Sequence, residues 1–111
     1  MRVGGKKIAE LPAEDLAKGV NLAAAALAEG PIADQVKSVK AAVEAKNRFH
    51  HDRIFRGIHL SQVPDWLSGP EVEAKKKAAI DERMAKLADL DAAVRKALEM
   101  KPLRWELVPA K

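Results

Sequence analysis

The chain has 111 residues, with 20 Lys and Arg against 16 Asp and Glu, and it contains no Cys. This length suits one modest domain, and the missing Cys excludes a disulfide framework, a thiolate metal site and a Cys nucleophile. Abundant Ala, Lys and Glu beside few β-branched and aromatic residues argue against an all-β fold. No run of about 18 apolar residues is present and no signal peptide is recognisable, so we expect no membrane partner.

The first 28 residues predict a partial hairpin followed by short helices. Gly4-Gly5 is a turn dipeptide, and residues 7–11 alternate between polar and apolar as a half-buried strand does. Only three residues precede the turn, so residues 1–11 predict a strand cut short, as if the chain began inside a larger domain. Residues 12–28 predict short helices, with Pro12 suited to a first helical position and Gly19 to a stop.

Two longer segments carry helical periodicity. The pattern predicts a long helix over residues 31–57, a loop over 58–68, a second long helix over 69–100 and a strand over 103–109. Ser68-Gly69-Pro70-Glu71 fits a capping box at the start of the second helix. Apolar residues recur three or four positions apart on both helices: Ile32, Val36, Val39 and Val43 on the first, and Ile80, Met84, Leu87, Leu90, Val94 and Leu98 on the second.

These elements predict a mainly α fold. We expect an antiparallel hairpin of two long helices, with short N-terminal helices and a small β-sheet formed by the terminal segments. Because no repeat or linker interrupts the pattern, residues 1–111 are interpreted as a single helical module.

The residues that carry chemistry do not assemble a recognisable catalytic or metal motif. None of the three serines lies in a nucleophile-elbow setting. Adjacent His50 and His51 would point about 100° apart on a helix, so they would not chelate one ion together. There is no glycine-rich phosphate loop, and we expect no metal, no cofactor and no catalytic residue. The Lys75–Lys77 run is flanked by acidic residues, which is typical of a solvated helix face and argues against a nucleic-acid partner.

The segment spanning residues 46–56 is the most informative part of the first long helix. There the apolar stripe turns polar, and Asn47, His50 and Ile54 are predicted to share one face. We interpret the segment first as a partly buried polar cluster that fixes how helices and loop meet, since buried polar groups need hydrogen-bond partners. The alternative is contact with a ligand or partner through Asn47, His50 and Arg53.

A series of short phrases carries a resemblance to one family. In chain order they are Gly4-Gly5-Lys6-Lys7-Ile8-Ala9-Glu10-Leu11, Lys18-Gly19-Val20-Asn21-Leu22-Ala23, Lys46-Asn47-Arg48-Phe49-His50 followed by Arg53 and Arg56, and Leu103-Arg104-Trp105-Glu106-Leu107-Val108-Pro109. Together they resemble the C-terminal region of bacterial SGNH/GDSL-type esterases, with its A-x-G-V-N-L-A phrase, K-x-N-x-L-H-F-x-R-W-R phrase and closing R-[YF]-E-L-x-P strand. The chain departs from the family in having Asp52, Ile54 and Phe55 in the Phe-Arg-Trp stretch.

The resemblance implies a non-catalytic C-terminal module that packs on or flanks a hydrolase domain. The family's nucleophile and D-x-x-H blocks lie upstream of this region, so no catalytic residue carries over to this chain. The parent enzyme would hydrolyse esters by a Ser-His-Asp mechanism, with acetyl esters on carbohydrate as one candidate substrate. The alternative hypothesis is a stand-alone helical-hairpin protein that self-associates or binds another partner.

Overall fold

A computed structural model describes residues 1–110 of the chain. Within these residues the fold is mainly α, with four α-helices and a small antiparallel sheet, as predicted. The strands and helices run in the order β1 Arg2–Val3, β2 Lys6–Lys7, α1 Ala13–Lys18, α2 Leu22–Ala28, α3 Pro31–Phe49, α4 Pro70–Ala97 and β3 Trp105–Glu106. A wide π-type helix, His50–His59, follows α3 directly, and a short 3₁₀ turn, Asp65–Leu67, precedes α4.

The packing divides the chain into two compact units. Residues 1–39 and 98–110 form the first, called here the terminal unit, and residues 40–97 form the second, called here the hairpin unit. The interpretation of residues 1–111 as one module therefore stays a prediction.

The sheet of the terminal unit is built around β1, the strand nearest the N-terminus. β1 is the central strand of the order β2-β1-β3, and both of its neighbours are antiparallel to it. Val3 pairs with Lys6 on one side and with Trp105 on the other, and its side chain is only 1% exposed. The terminal segments thus form one sheet as expected. Within that sheet β2 and β3 do not pair with each other, because β1 lies between them.

Small residues bring the helices of the terminal unit close to the chain around them. Ala26 of α2 and Ala33 of α3 are buried. Gly30, between these helices, has φ +98°, a backbone conformation that favours glycine. A side chain there would also collide with Ile8, so this glycine permits both the turn and the close approach.

The hairpin unit consists of the second half of α3, the π-type helix and α4. Lys46 contacts Asp91, and Arg83 donates a hydrogen bond to the backbone carbonyl of Arg53. Lys46 meets Asp91, whereas Arg53, later in the first segment, meets Arg83, which is earlier in α4. The two helical segments are therefore antiparallel, and the predicted hairpin is confirmed. Its interior is small: Ile54 and Ile58 are the buried hydrophobic side chains of the unit.

The first long helix extends beyond its predicted end. It does not stop at Gly57, because the wide turns continue to His59, where the Leu60 amide donates to the carbonyl of Phe55 at 2.9 Å. The predicted loop over 58–68 therefore begins two residues later and contains the 3₁₀ turn. α4 ends at Ala97, three residues before the predicted end, and β3 covers only two residues of the predicted strand 103–109.

Candidate functional site

The three residues predicted to contact a ligand or partner lie at the junction of α3 and the π-type helix. Asn47, His50 and Arg53 are all exposed to solvent. The interpretation of this segment as a partly buried polar cluster is therefore wrong for these side chains. Their role in contacting a ligand or partner stays a prediction, and their exposure leaves them accessible for it.

The wide turns explain why the inward face differs from the predicted one. In the α-helical register, His50 and Ile54 would share the inner face, four residues apart. Hydrogen bonds between residues five apart close a wider turn than α-helical ones, so Phe49 and Ile54 come into line instead. Phe49 is half-buried and Ile54 is 2% exposed, while His50 is exposed. Phe49 continues the half-buried stripe of Ala42 and Lys46 at α-helical spacing, and the wide turns that follow bring Ile54 into line with it.

Exposed cationic side chains concentrate on this segment. Arg48, Arg53 and Arg56 are exposed, and among the ion pairs of residues 1–110 none includes them. Asp52 is engaged by Nδ1 of His51 at 2.9 Å, and the His51 ring lies 6.1 Å from the Phe55 ring, centroid to centroid. These arginines are accordingly available to an anionic group from outside the chain.

Arg83 of α4 connects the two helical segments at the wide turns. Its Nη1 donates to the Arg53 carbonyl at 2.5 Å. A Cβ at Gly57 would lie 3.0 Å from the Asp52 carbonyl oxygen and 3.1 Å from Nη1 of Arg83. A side chain at Gly57 would crowd both the Asp52 carbonyl and the Arg83 guanidinium, so the glycine leaves space for Arg83 to lie against the backbone.

A second polar connection joins the helices of the hairpin unit further along. Asp91 of α4 accepts from Lys46 of α3 and, through Oδ2, from Arg95 Nε at 3.0 Å. These two cations lower the pKa of the Asp91 carboxyl below its ordinary value, chiefly through the hydrogen bond from Lys46. Lys46 was predicted only as part of the polar segment, and its partner 45 residues away could not be identified from helical spacing.

The serine hydroxyls are occupied by nearby backbone groups. Ser38 donates to the Asp34 carbonyl at 3.0 Å, Ser61 to that of Ile58 at 2.6 Å and Ser68 to that of Asp65 at 2.8 Å. Ser68 therefore bonds to the preceding 3₁₀ turn, and the predicted capping box is not the arrangement seen. An activated serine nucleophile needs a general base within hydrogen-bond reach, and each of these hydroxyls instead donates to a carbonyl.

Two further classes of site were searched in the part of the chain that the structure describes. Across residues 1–110, no group of three or more His, Asp or Glu side chains is placed to hold a metal ion. None of the helices in that range is long and apolar enough to cross a membrane.

Sequence reasoning did not single out the apolar side chains exposed near the 3₁₀ turn. Trp66 is 81% exposed, Leu60 59% and Leu67 50%. Exposed tryptophan is enriched in the centres of protein interfaces. A tryptophan two residues after Pro64 in a predicted loop was the available signal, since such a residue has no helix stripe to bury it.

Comparison with known proteins adds no relative: no family model, curated protein or solved structure matches the chain.

Proposed function

We propose that the chain is a non-catalytic helical module that packs on or flanks an SGNH/GDSL-type hydrolase domain. The proposal starts from the order of the sequence phrases that resemble the C-terminal region of that family. Local geometry is compatible with those phrases: Gly19 has φ +93°, and the Asn21 side chain caps α2 by accepting from the Ala24 amide at 3.2 Å. The first and last phrases, which contain β2 and β3, belong to one sheet.

The observation that carries the proposal is the amount of surface left exposed. The accessible surface is 8694 Å², whereas a folded monomer of 12.1 kDa is expected to expose about 6,000 Å². The excess of about 2,700 Å² exceeds the roughly 1,600 Å² that a standard protein–protein interface buries in total. Among residues 1–110, fourteen large hydrophobic side chains are exposed while six hydrophobic residues are buried. A module that covers part of this surface with a partner accounts for the imbalance.

The chemistry of the parent enzyme would reside on the partner domain. By resemblance, that domain would supply the Ser-His-Asp residues and hydrolyse esters, with acetyl esters on carbohydrate as one candidate. The present chain would contribute contact surface, and its exposed Asn47, His50 and Arg53 are candidates for lying against that domain or flanking its cleft.

Reading the coding DNA that flanks this gene and reconstituting the pair would test the proposal. We expect an upstream coding sequence with a G-D-S block and a D-x-x-H block. Its purified product should form a 1:1 complex with this chain in analytical ultracentrifugation, and its melting temperature should rise on mixing. Trp66→Ala should weaken that complex. Leu16→Ala, which truncates an exposed leucine of α1, is the matched control. Flanking DNA without these blocks would contradict the proposal.

One observation favours a second candidate, self-association of the helical hairpin. α4 is 28 residues long and has no buried residue, and Met84 on its apolar stripe is 49% exposed. Burying such a face between two copies would form a four-helix arrangement. Sedimentation equilibrium of the chain alone distinguishes the candidates: a dimer at micromolar concentration supports self-association, and a monomer supports a module that needs a different partner.

A further inference from the structure

A groove in the hairpin unit is lined by cationic side chains and by the aromatic ring of Phe49. It has a volume of about 410 Å³ and is lined by Phe49, Arg53, Ala79, Glu82, Arg83 and Lys86. Ligand-binding clefts usually measure about 300–1,000 Å³, so the space suits a small molecule. Its lining comes from the end of α3, the π-type helix and α4, which are the elements joined by the bond between Arg83 and the Arg53 carbonyl.

The charges of the groove are not neutralised by ion pairs within the chain. No ion pair of residues 1–110 includes Arg53, Arg83 or Lys86. Glu82 is the one carboxylate of the lining, so three cations and one anion leave a formal charge of +2. Guanidinium groups bind phosphate oxygens in pairs, and a phosphate monoester carries a charge of about −1.5 to −2 at neutral pH.

Two lining residues, Phe49 and Ala79, add apolar surface beside the cations. Phe49 at the end of α3 and Ala79 of α4 are both half-buried. A flat apolar group can lie on such a surface while its charged end reaches the arginines. Arg83 is already oriented by its backbone acceptor, so part of the site is in place before a ligand arrives.

We propose that this groove binds a phosphomonoester whose apolar ring lies on Phe49 and Ala79 and whose phosphate contacts Arg53, Arg83 and Lys86. The inference is independent of the proposed partner domain, because every residue of the site belongs to residues 40–97 of this chain.

Phenyl phosphate is the probe that tests the proposal, titrated into the ¹⁵N-labelled chain at constant ionic strength and followed by NMR. We expect saturable shifts confined to the amides of residues lining the groove. Inorganic phosphate should bind more weakly because it lacks the ring, and benzyl alcohol, which lacks the charge, should not bind. Shifts that rise without saturation and spread over all the lysines would overturn the proposal. Equal affinity for phosphate and phenyl phosphate would overturn the role of Phe49.

Substitutions that remove one charge from the groove should raise or lower the affinity for phenyl phosphate according to the sign of the charge removed. Arg53→Gln and Lys86→Gln should each weaken binding about three- to fivefold, the size expected for one partly exposed ionic contact, whereas Glu82→Gln should tighten it by a similar factor. Lys96→Gln is the matched control, since Lys96 is an exposed cation of α4 about 15 Å further along the helix than Lys86. An equal loss of affinity in Lys96→Gln and Arg53→Gln would overturn the proposal. Arg83 is left unchanged because it also holds the Arg53 carbonyl.

Discussion

The terminal unit and the hairpin unit are held together by different kinds of contact. In the terminal unit, backbone pairing on both edges of β1 surrounds the buried Val3, and small residues let helices and loops approach closely. In the hairpin unit, two isoleucines of the π-type helix supply the buried side chains, and polar contacts connect the helices at two levels. The two units of this short chain are thus stabilised by different kinds of contact.

This difference indicates where stability and binding are expected to reside. A unit with so little buried side-chain volume has a small free energy of unfolding. Losing any one of its few interior contacts should therefore remove a large share of that free energy. The same unit displays the unpaired arginines and the exposed Trp66, which are available for contact with a partner. The predictions below test how far the hairpin unit depends on each kind of contact.

Truncating the interior of the hairpin unit should have the largest effect. Ile54 and Ile58 are 2% and 4% exposed, and replacing a buried isoleucine with alanine costs about 2–5 kcal/mol. Chemical denaturation of Ile58→Ala should show a loss in that range. Val36→Ala is the control, because Val36 is 51% exposed, and its loss should be much smaller. Equal losses in the two variants would contradict the assignment of Ile58 to the interior.

Gly57→Ala should have the next largest effect, and its sign tests the wide turns. In an exposed α-helix this change stabilises by about 1 kcal/mol. Here the new methyl group meets the Asp52 carbonyl and the Arg83 guanidinium, and overpacking of this kind costs about 1–3 kcal/mol. We therefore expect destabilisation in denaturant titrations. Gly69→Ala is the matched control, since a Cβ there meets no atom within 4 Å. A stabilised Gly57→Ala would indicate ordinary α-helical turns.

Helical periodicity is sufficient to predict the architecture of this chain but not its wide turns. The stripes through Val43 and Leu90 predict two long helices, and the matching of these stripes predicts an antiparallel pair. A π-type segment shifts the inner face by one residue, from His50 to Phe49, and a pattern read at one fixed period cannot detect that shift. Asn47 and His50 are exposed, so the predicted polar cluster is wrong for these two side chains, whereas Lys46 of the same segment does connect the helices through Asp91.

Contacts between distant residues were also beyond the sequence. Alternation in residues 103–109 predicts a strand, yet nothing local specifies that its neighbour is β1 and not β2. The two polar connections between the helices depend on the register of the hairpin, which single residues such as Lys46 and Arg83 do not reveal. Of the residues that line the groove, Arg53 was predicted as a contact residue, but the groove also requires residues of α4 that look like ordinary helix charges.

Asp91→Asn should have a smaller effect, and this effect should depend on pH. The pKa of Asp91 is lowered in the folded chain, so its ionised form contributes stability above its unfolded pKa, and that contribution is lost as pH falls through the folded value. The variant should melt at a lower temperature than the wild type near pH 7. The difference should shrink as the pH falls below the ordinary aspartate pKa of about 4 and through the lower pKa of folded Asp91, because the wild-type carboxyl then takes up its proton.

Asp81→Asn provides the comparison for that measurement. Asp81 accepts from Lys77 one turn earlier on the same helix, whereas Asp91 connects α4 to α3. Thermal melts followed by circular dichroism from pH 3 to pH 7 should therefore show the larger change for Asp91→Asn. A difference from wild type that stays constant over this range would indicate that the Asp91 carboxylate contributes no ionic stabilisation.

The smallest expected effect is on ester hydrolysis, where removing all three serines should change nothing. Acyl transfer needs a nucleophile, a base within reach and donors aimed at the developing oxyanion. Each serine hydroxyl of this chain donates instead to a backbone carbonyl three or four residues before it.

We therefore expect the wild type and the Ser38/Ser61/Ser68→Ala variant to hydrolyse p-nitrophenyl acetate at the same slow rate. That rate should match a non-enzymic protein of similar lysine and histidine content, because exposed amines and imidazoles attack such an activated ester without a built site. Faster turnover by the wild type that disappears in the variant would make this chain an esterase in its own right. It would also mean that one of these hydroxyls exchanges its carbonyl acceptor for a general base when substrate binds, which would contradict a non-catalytic module.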